Sequence, residues 1–300
     1  MNRRSPLERF AWGYLGYLFA VILFGAWVRI SGSGNGCGNH WPVCNGEILP
    51  TAPSVKTVIE FTHRVTSGVS GIVGLVLLGW AWRRRAVHPW LFRAAGWALV
   101  FLLLEAFIGA VLVKKELVAN DASASRALVV ALHLVNTMLL TASTATVAWW
   151  AGGRRAMGTV RVAGVIWVLA IGAFILTNMT GAVTALGDTL FPVQPALNGD
   201  LWARLRDDLS PSQHFLVRLR LIHPVVAMAT ALGVGTLFLR LRGAGSLARL
   251  GLGLVLTQVS LGLLNVALAA PAWMQIVHLL VSQCLWVVIW LSALSFWRGR

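Results

Sequence analysis

The chain has 300 residues, of which 57% are hydrophobic, only 12% are charged and 15 are Trp. A soluble domain cannot hide that much apolar surface, which leaves a polytopic membrane protein. The net charge of +15 does not indicate nucleic acid, because the basic residues sit in short stretches between apolar runs, the pattern of topology signals. Those runs predict eight transmembrane helices, at about 12–30, 59–82, 91–113, 127–150, 160–178, 217–240, 247–268 and 272–297, each near the ~20 residues a bilayer needs. The first is too long for a signal-peptide core and lacks a clear cleavage site, so it reads as a retained helix.

Arg3, Arg4, Arg83, Arg84, Arg85, Arg93, Arg154, Arg155, Arg161, Arg240, Arg242, Arg249, Arg298 and Arg300 all fall on one side. The positive-inside rule makes that side cytoplasmic. Both termini then face the cytoplasm, in a multi-pass chain of a bacterial-type inner (cell) membrane with lipid around its spans. The opposite side carries three longer loops, at about 31–58, 114–126 and 179–216. Cys37 and Cys44 lie in the first. An outward loop faces an oxidising space, which favours a disulfide. The alternative is a zinc site from Cys37, His40 and Cys44, which lacks an obvious fourth ligand. Cys284, inside the last span, reads as a small core residue.

Residues 12–150 and 160–297 read as two copies of one four-helix unit, giving an N-terminal half (1–153) and a C-terminal half (154–300). Ser31-Gly32 aligns with Thr180-Gly181, and Glu105 and Gly109 align with Gln258 and Gly262. Spans two and six carry His63 and His223; spans four and eight carry His133 and His278. Each histidine falls about four to seven residues below the outer end of its span, or ~6–10 Å at 1.5 Å per residue. Four histidines at one level form two candidate pairs. A lone intramembrane histidine is often a helix–helix hydrogen-bond partner. The same placement in both copies argues for ligands. His40, His88 and His214 fall in loops and read as surface residues.

A pair of histidines on facing helices suits haem better than zinc, because the porphyrin supplies four nitrogens and the protein the axial positions. Gly68, Gly71 and Gly74 in span two admit either a flat macrocycle or a neighbouring helix. Anionic propionates would point to the outer surface, where Arg29, Arg64, Arg218 and Arg220 are available, as ligands or as interfacial anchors. Ionisable groups inside a bilayer are costly and mark sites. Glu60 and His63 are three apart and share a helix face. The residue three before His223 is Arg220, so the two sites differ. One has a carboxylate able to move protons or orient water, the other a cation. That asymmetry points to a reactive site in the first half and a fixed cofactor in the second. Glu60 also stands one turn from Arg64 and can pair with it.

The segments "VRISGSGNGCGNHWPVCNG" (28–46), "EFTHR" (60–64), "HLVNT" (133–137), "TGAVTALGDTLFP" (180–192), "LIHP" (221–224) and "IVHLL" (276–280), in this order, resemble the haem A synthase family over nearly the whole chain. The resemblance implies an all-α membrane protein of eight helices in two similar four-helix bundles. It implies oxidation of a ring methyl group of haem O to a formyl group, through a hydroxymethyl stage, in the supply of haem A to terminal oxidases. By the same match His63 and His133 would flank the substrate haem O, with Arg64 near its propionates. His223 and His278 would bind haem b through its iron, with Arg220 at its edge. Glu60 would serve the chemistry, and Cys37 and Cys44 would be the cysteine pair of the first outer loop. A haem O synthase and an unidentified electron donor or acceptor are the implied partners.

The chain departs from the family pattern in two places. The loop after span five carries no cysteine pair, and Asn39 and His40 precede Trp41-Pro42 where an acidic residue is common. Glu105 reads as an interhelical hydrogen-bonding residue. The oxidation runs either through O₂ activated at the substrate iron or through stepwise electron withdrawal and addition of water, with Glu60 accepting a proton or placing water in both. Two other classes fit the histidines alone. One is a di-haem, cytochrome b-like quinol oxidoreductase; the other is a haem carrier.

Overall fold

The computed structural model describes residues 5–153, 162–193 and 200–298. Arg3, Arg4, Arg154, Arg155, Arg161 and Arg300, which help to orient the chain in the sequence reading, lie outside the described residues. In chain order the helices are α1 (Pro6–Ile30), α2 (Val55–Arg83), α3 (Pro89–Lys114), α4 (Ala124–Ala151), α5 (Gly164–Leu190), α6 (Leu201–Asp208), α7 (Phe215–Arg218), α8 (Ile222–Leu241), α9 (Ser246–Ala267) and α10 (Ala272–Phe296). Among the described residues eight segments, with α7 and α8 counted as one, are long and apolar enough to cross a membrane. This is the eight-span, multi-pass membrane architecture that the hydropathy predicts. Val162 and Ala163 add a two-residue parallel pairing with Trp297 and Arg298.

Local sequence explains the helix ends. Ser5, Ser54 and Ser123 each accept a hydrogen bond from the backbone N–H three residues on, satisfying a donor that the first turn leaves open. At the end of α1, Gly32 takes a φ of +62° and the Ser33 N–H returns to the Val28 carbonyl, a left-handed stop that glycine adopts without strain. Pro224 lacks an N–H and crowds the carbonyl four residues earlier. The backbone there tightens into a 3-10 turn, Leu219–Leu221, between α7 and α8.

The fifth helix corrects the sequence reading. It runs to Leu190, not to 178, so the loop that follows is shorter than expected and holds the polar helix α6. Gly181 does not end the helix, and Gly187 marks a close approach. A β-carbon on Gly187 would stand 2.9 Å from the Leu216 carbonyl oxygen. Three of the four histidines lie further along their helices than the expected four to seven residues, and His278 falls within that range. His63 is eight residues past Val55, His133 nine past Ala124, His223 eight past Phe215 and His278 six past Ala272.

Contacts divide the chain into two compact units, residues 1–129 with 135–155 and residues 130–134 with 156–300. In the first, one apolar core takes Leu7, Tyr14 and Leu18 from α1, Leu77 from α2, Ala95 and Leu102 from α3, and Leu140 and Val147 from α4. Hydrogen bonds tie α1 to α2, from the Tyr14 hydroxyl to the Ser70 carbonyl (2.9 Å) and from the Tyr17 hydroxyl to the Thr66 carbonyl (2.8 Å). Gly74 is a packing glycine, 3.0 Å by its missing β-carbon from the Tyr14 oxygen, whereas Gly68 and Gly71 face open space. In the second unit α5, α8, α9 and α10 form a closed ring of neighbours. Thr177 and Thr230 hydroxyls meet at 2.8 Å, and Ser282 donates to Asn178 at 2.8 Å. Lipid is as apolar as leucine, so such polar links carry much of helix association, about 0.6–2 kcal/mol each.

Candidate functional site

The first outer loop docks onto the start of α2. Cys37 and Cys44 are joined by a disulfide, so neither thiol is available to zinc and that alternative is excluded. Both are fully buried. Gly36 lies flat on the Lys56–Thr57 peptide, where a β-carbon would stand 2.3 Å from the Lys56 carbonyl oxygen. The Thr57 hydroxyl donates to the Gly36 carbonyl at 2.7 Å. This close seating brings the Cys37 N–H to Glu60 Oε2 at 2.9 Å.

Glu60 is 3% exposed, and its other oxygen is held by Arg64, whose Nη2 approaches Oε1 to 2.5 Å. The pairing one turn apart that the sequence offers is therefore formed. Arg64 does more than neutralise: its Nη1 donates to the carbonyls of His40 and Val43, each at 2.7 Å. Both carbonyls lie inside the disulfide-closed loop. One cation thus ties the carboxylate and the loop together. His63, one turn deeper, packs edge-on against Phe24 with ring centres 5.7 Å apart. His133 lies on α4 in the segment 130–134, which groups with the second unit.

Glu105 is a hydrogen-bond acceptor between helices, as its sequence context indicates. Asn136 Nδ2 donates to Oε2 and the Thr137 hydroxyl to Oε1. Asn136 also donates to the Phe101 carbonyl at 2.8 Å. These bonds fix α3 against α4 three and four residues beyond His133.

In the second unit the structure brings His223 and His278 together. Their ring centres are 6.5 Å apart and the planes are nearly perpendicular, at 87°. Two imidazole nitrogens each about 2 Å from a shared first-row metal are about 4 Å apart, which places the ring centres a little over 6 Å apart. The pair therefore has the separation of two axial ligands. His223 Nδ1 lies 3.1 Å from the Thr177 carbonyl. An N–H there donates to the carbonyl and leaves Nε2 as the free acceptor, the usual arrangement for a metal-binding imidazole. The Thr180 hydroxyl lies 3.2 Å from the same Nδ1. At His278, Gln258 Nε2 donates to Nε2 at 3.1 Å, while His278 Nδ1 and Gln258 Oε1 are buried with no hydrogen-bond partner. Orphaned buried polar atoms are costly. His223 Nε2 is open as a metal ligand, and at His278 a metal would displace the Gln258 amide from Nε2, so the two imidazoles would serve as the nitrogen donors to a haem iron.

Arg220 is engaged elsewhere. Its Nε meets Asp188 at 2.9 Å, its Nη1 meets Asp208 at 3.4 Å, and its Nη2 donates to the carbonyls of Gly187 and Phe191. Burial pushes the Asp208 carboxyl above its ordinary pKa, with Arg220 drawing it partly back. This network fastens the outer segment containing α6, in the loop that carries no cysteine pair. Sequence reading missed Asp188 and Asp208, because their partner is identified only by tertiary folding. Two surface assignments differ: His40 is exposed, as expected, but His214 is half-buried, stacked on Phe191 at 4.7 Å, and its ring accepts from the Leu216 N–H.

Comparison with known proteins places this arrangement. A family model described as "Cytochrome oxidase assembly protein" (COX15-CtaA) matches residues 8–290. A Thermus thermophilus protein named "Protoheme IX farnesyltransferase" is 45% identical over 98% of this chain and 49% of its own length. Thus the chain spans about half the length of that relative. A "Heme A synthase" of Alkalihalophilus pseudofirmus is 42% identical over 91 residues, 30% of each chain. One of Bacillus licheniformis is 39% identical over 124 residues, 41% of this chain and 38% of its own length. With a family match that runs from the first helix to the last, the chain belongs to the COX15-CtaA family of cytochrome oxidase assembly proteins.

Proposed function

We propose that the chain is a haem A synthase, an oxidoreductase that converts a ring methyl group of haem O to a formyl group through a hydroxymethyl stage. The observation that carries this reading is the contrast between the two units. One holds a buried carboxylate a turn from a histidine, and the other holds two histidines at axial-ligand separation. Relatives named "Heme A synthase" support the same direction. In this reading His63 and His133 flank the substrate haem O. His223 and His278 hold haem b, which when bound supplies one-electron transfer to or from the first site.

Glu60 is the group at the reacting site able to accept a proton or place a water. Its two oxygens are not equivalent: Oε1 faces the Arg64 cation and Oε2 faces a neutral N–H. A proton delivered to this carboxylate is therefore favoured at Oε2. Arg64 and Arg220 anchor their outer segments first, and propionate contact would add to those bonds. The positive-inside pattern supports cytoplasmic termini in a cell membrane. The Thermus relative bears the name of a haem-farnesylating enzyme over about twice this length. That supports a nearby source of farnesylated haem, a haem O synthase, as the supplier of substrate.

The test is which pigment each histidine retains. Purified His278→Ala should lose haem b and keep the farnesylated haem, and His63→Ala should do the reverse. Loss of both haems, or of neither, in each variant would contradict the two-site division. A di-haem quinol oxidoreductase would lose the same haem b in both cases.

A further inference from the structure

Three of the four intramembrane histidines lie against a glycine of the neighbouring helix. A β-carbon on Gly25 would stand 3.0 Å from His63 Cε1 and 3.2 Å from Nε2. On Gly181 it would stand 3.0 Å from His223 Cε1 and 3.3 Å from Nδ1, and on Gly262 3.3 Å from His278 Cε1. Carbon atoms in ordinary contact stay about 3.5–4.0 Å apart. An alanine at position 25 or 181 would therefore drive the ring back by about 0.5 Å. Gly16 in α1 and Gly172 in α5 have nothing within 4 Å, whereas Gly187, also in α5, closes on the Leu216 backbone. Gly25 and Gly181 are thus the glycines of α1 and α5 that close on an imidazole, and Gly16 and Gly172 serve as unconstrained controls.

The residues before Gly25 and Gly181 touch the same rings. Phe24 packs edge-on against His63, and the Thr180 hydroxyl reaches Nδ1 of His223. Thr177, one turn earlier, offers its carbonyl to that nitrogen. The helix therefore gives each ring a flat backbone seat beside a side-chain stop. In the second unit a hydrogen bond also sets the tautomer. We infer that Gly181 and Gly25 are positioning residues for the imidazoles of His223 and His63, setting ring height and tilt for axial ligation. This deepens the two-haem reading above and rests on it. Site geometry of this kind is held to about 0.5 Å, and changes to groups that orient a metal-binding histidine cost about 10–100-fold in affinity.

The experiment compares the full-length wild type with Gly181→Ala, Gly172→Ala and Gly25→Ala, each purified from haem-replete cells. The readouts are haem b retained after dilution, the oxidised and reduced absorption spectra, and the midpoint potential. Gly181→Ala should shift the spectrum and potential and lower haem b affinity by about 10–100-fold. Gly172→Ala should match the wild type. Gly25→Ala should leave haem b unchanged and alter the spectrum of the farnesylated haem. Because Gly181→Ala strains the apo-protein too, its thermal midpoint is also measured in a His223→Ala background. Removal of the ring should abolish the destabilisation. Unchanged spectra, potential and retention in Gly181→Ala would overturn the inference. So would equal destabilisation with and without the His223 ring, which would assign Gly181 to helix packing. A wild type that binds no haem at all would instead refute the underlying two-haem reading, and the inference with it.

Discussion

Arg64 offers the sharpest test of how the outer loop is held. Arg64→Met removes the cation from Glu60 and the donors from the His40 and Val43 carbonyls, while keeping the length of the side chain. The Glu60 side chain is 4% exposed and that of Arg64 13%. Stranding a buried charge by deleting its partner costs about 3–5 kcal/mol. The Cys37 N–H still serves Glu60, so the lower end applies, about 3 kcal/mol. Cys37 and Cys44 are fully buried, so a reductant reaches their disulfide only when the loop opens. At about 1.4 kcal/mol per tenfold, the open population rises by about 100-fold. The assay is the rate of disulfide reduction by a membrane-impermeant phosphine, read by mass tagging of the freed thiols. Cys284, half-buried in α10, should label at its wild-type rate and so report that the rest of the fold is intact. Reduction of Arg64→Met at the wild-type rate would refute the claim that Arg64 latches this loop.

Glu60→Gln should keep both haems and lose the formyl product, measured by extraction and mass; normal haem A yield would remove Glu60 from the chemistry. Glu105→Gln places an amide N–H₂ against the Asn136 or Thr137 donor, so it should lower thermal stability by about 1–3 kcal/mol yet leave haem A formation near normal. Its failure to form product would assign Glu105 a role beyond joining α3 to α4. Arg220→Met should free the segment around α6 and raise its proteolysis. Without Arg220 the Asp208 pKa rises further, and a carboxyl with a raised folded pKa stabilises below its unfolded value and loses that contribution as pH rises through the folded one. The variant's segment should therefore be better protected at acid pH than at neutral pH. Equal cleavage at both would contradict this.

The membrane architecture is legible in the sequence because lipid demands long apolar runs, and all eight expected spans are present, the fifth running twelve residues beyond its expected end. The histidine pair of the second unit is legible because each ionisable ring in such a run is conspicuous. What the sequence conceals is tertiary. Nothing local shows that Cys37 lends its N–H to Glu60, because that bond depends on how Gly36 seats on α2. The apolar pattern places the end of α5 at 178, before Thr180-Gly181, whereas Gly181 lies inside the helix against His223. The same error displaces the internal comparison. The sequence pairs Gly181 with Gly32, yet the glycine seated on His63 is Gly25, seven residues earlier. The helix α6 escapes notice because it is short and polar, and its attachment to Arg220 is formed only by folding.

The central claim is that this chain changes one haem while holding another, and pigment analysis tests it most directly. The full chain would be purified from cells with and without a haem O supply, and the bound pigments identified by chromatography and mass. The account predicts haem b alone without the supply, and haem b together with haem A or its hydroxymethyl precursor when haem O is present. Unaltered haem O beside haem b, with uptake confirmed, would contradict it and favour a protein that binds haem without oxidising it.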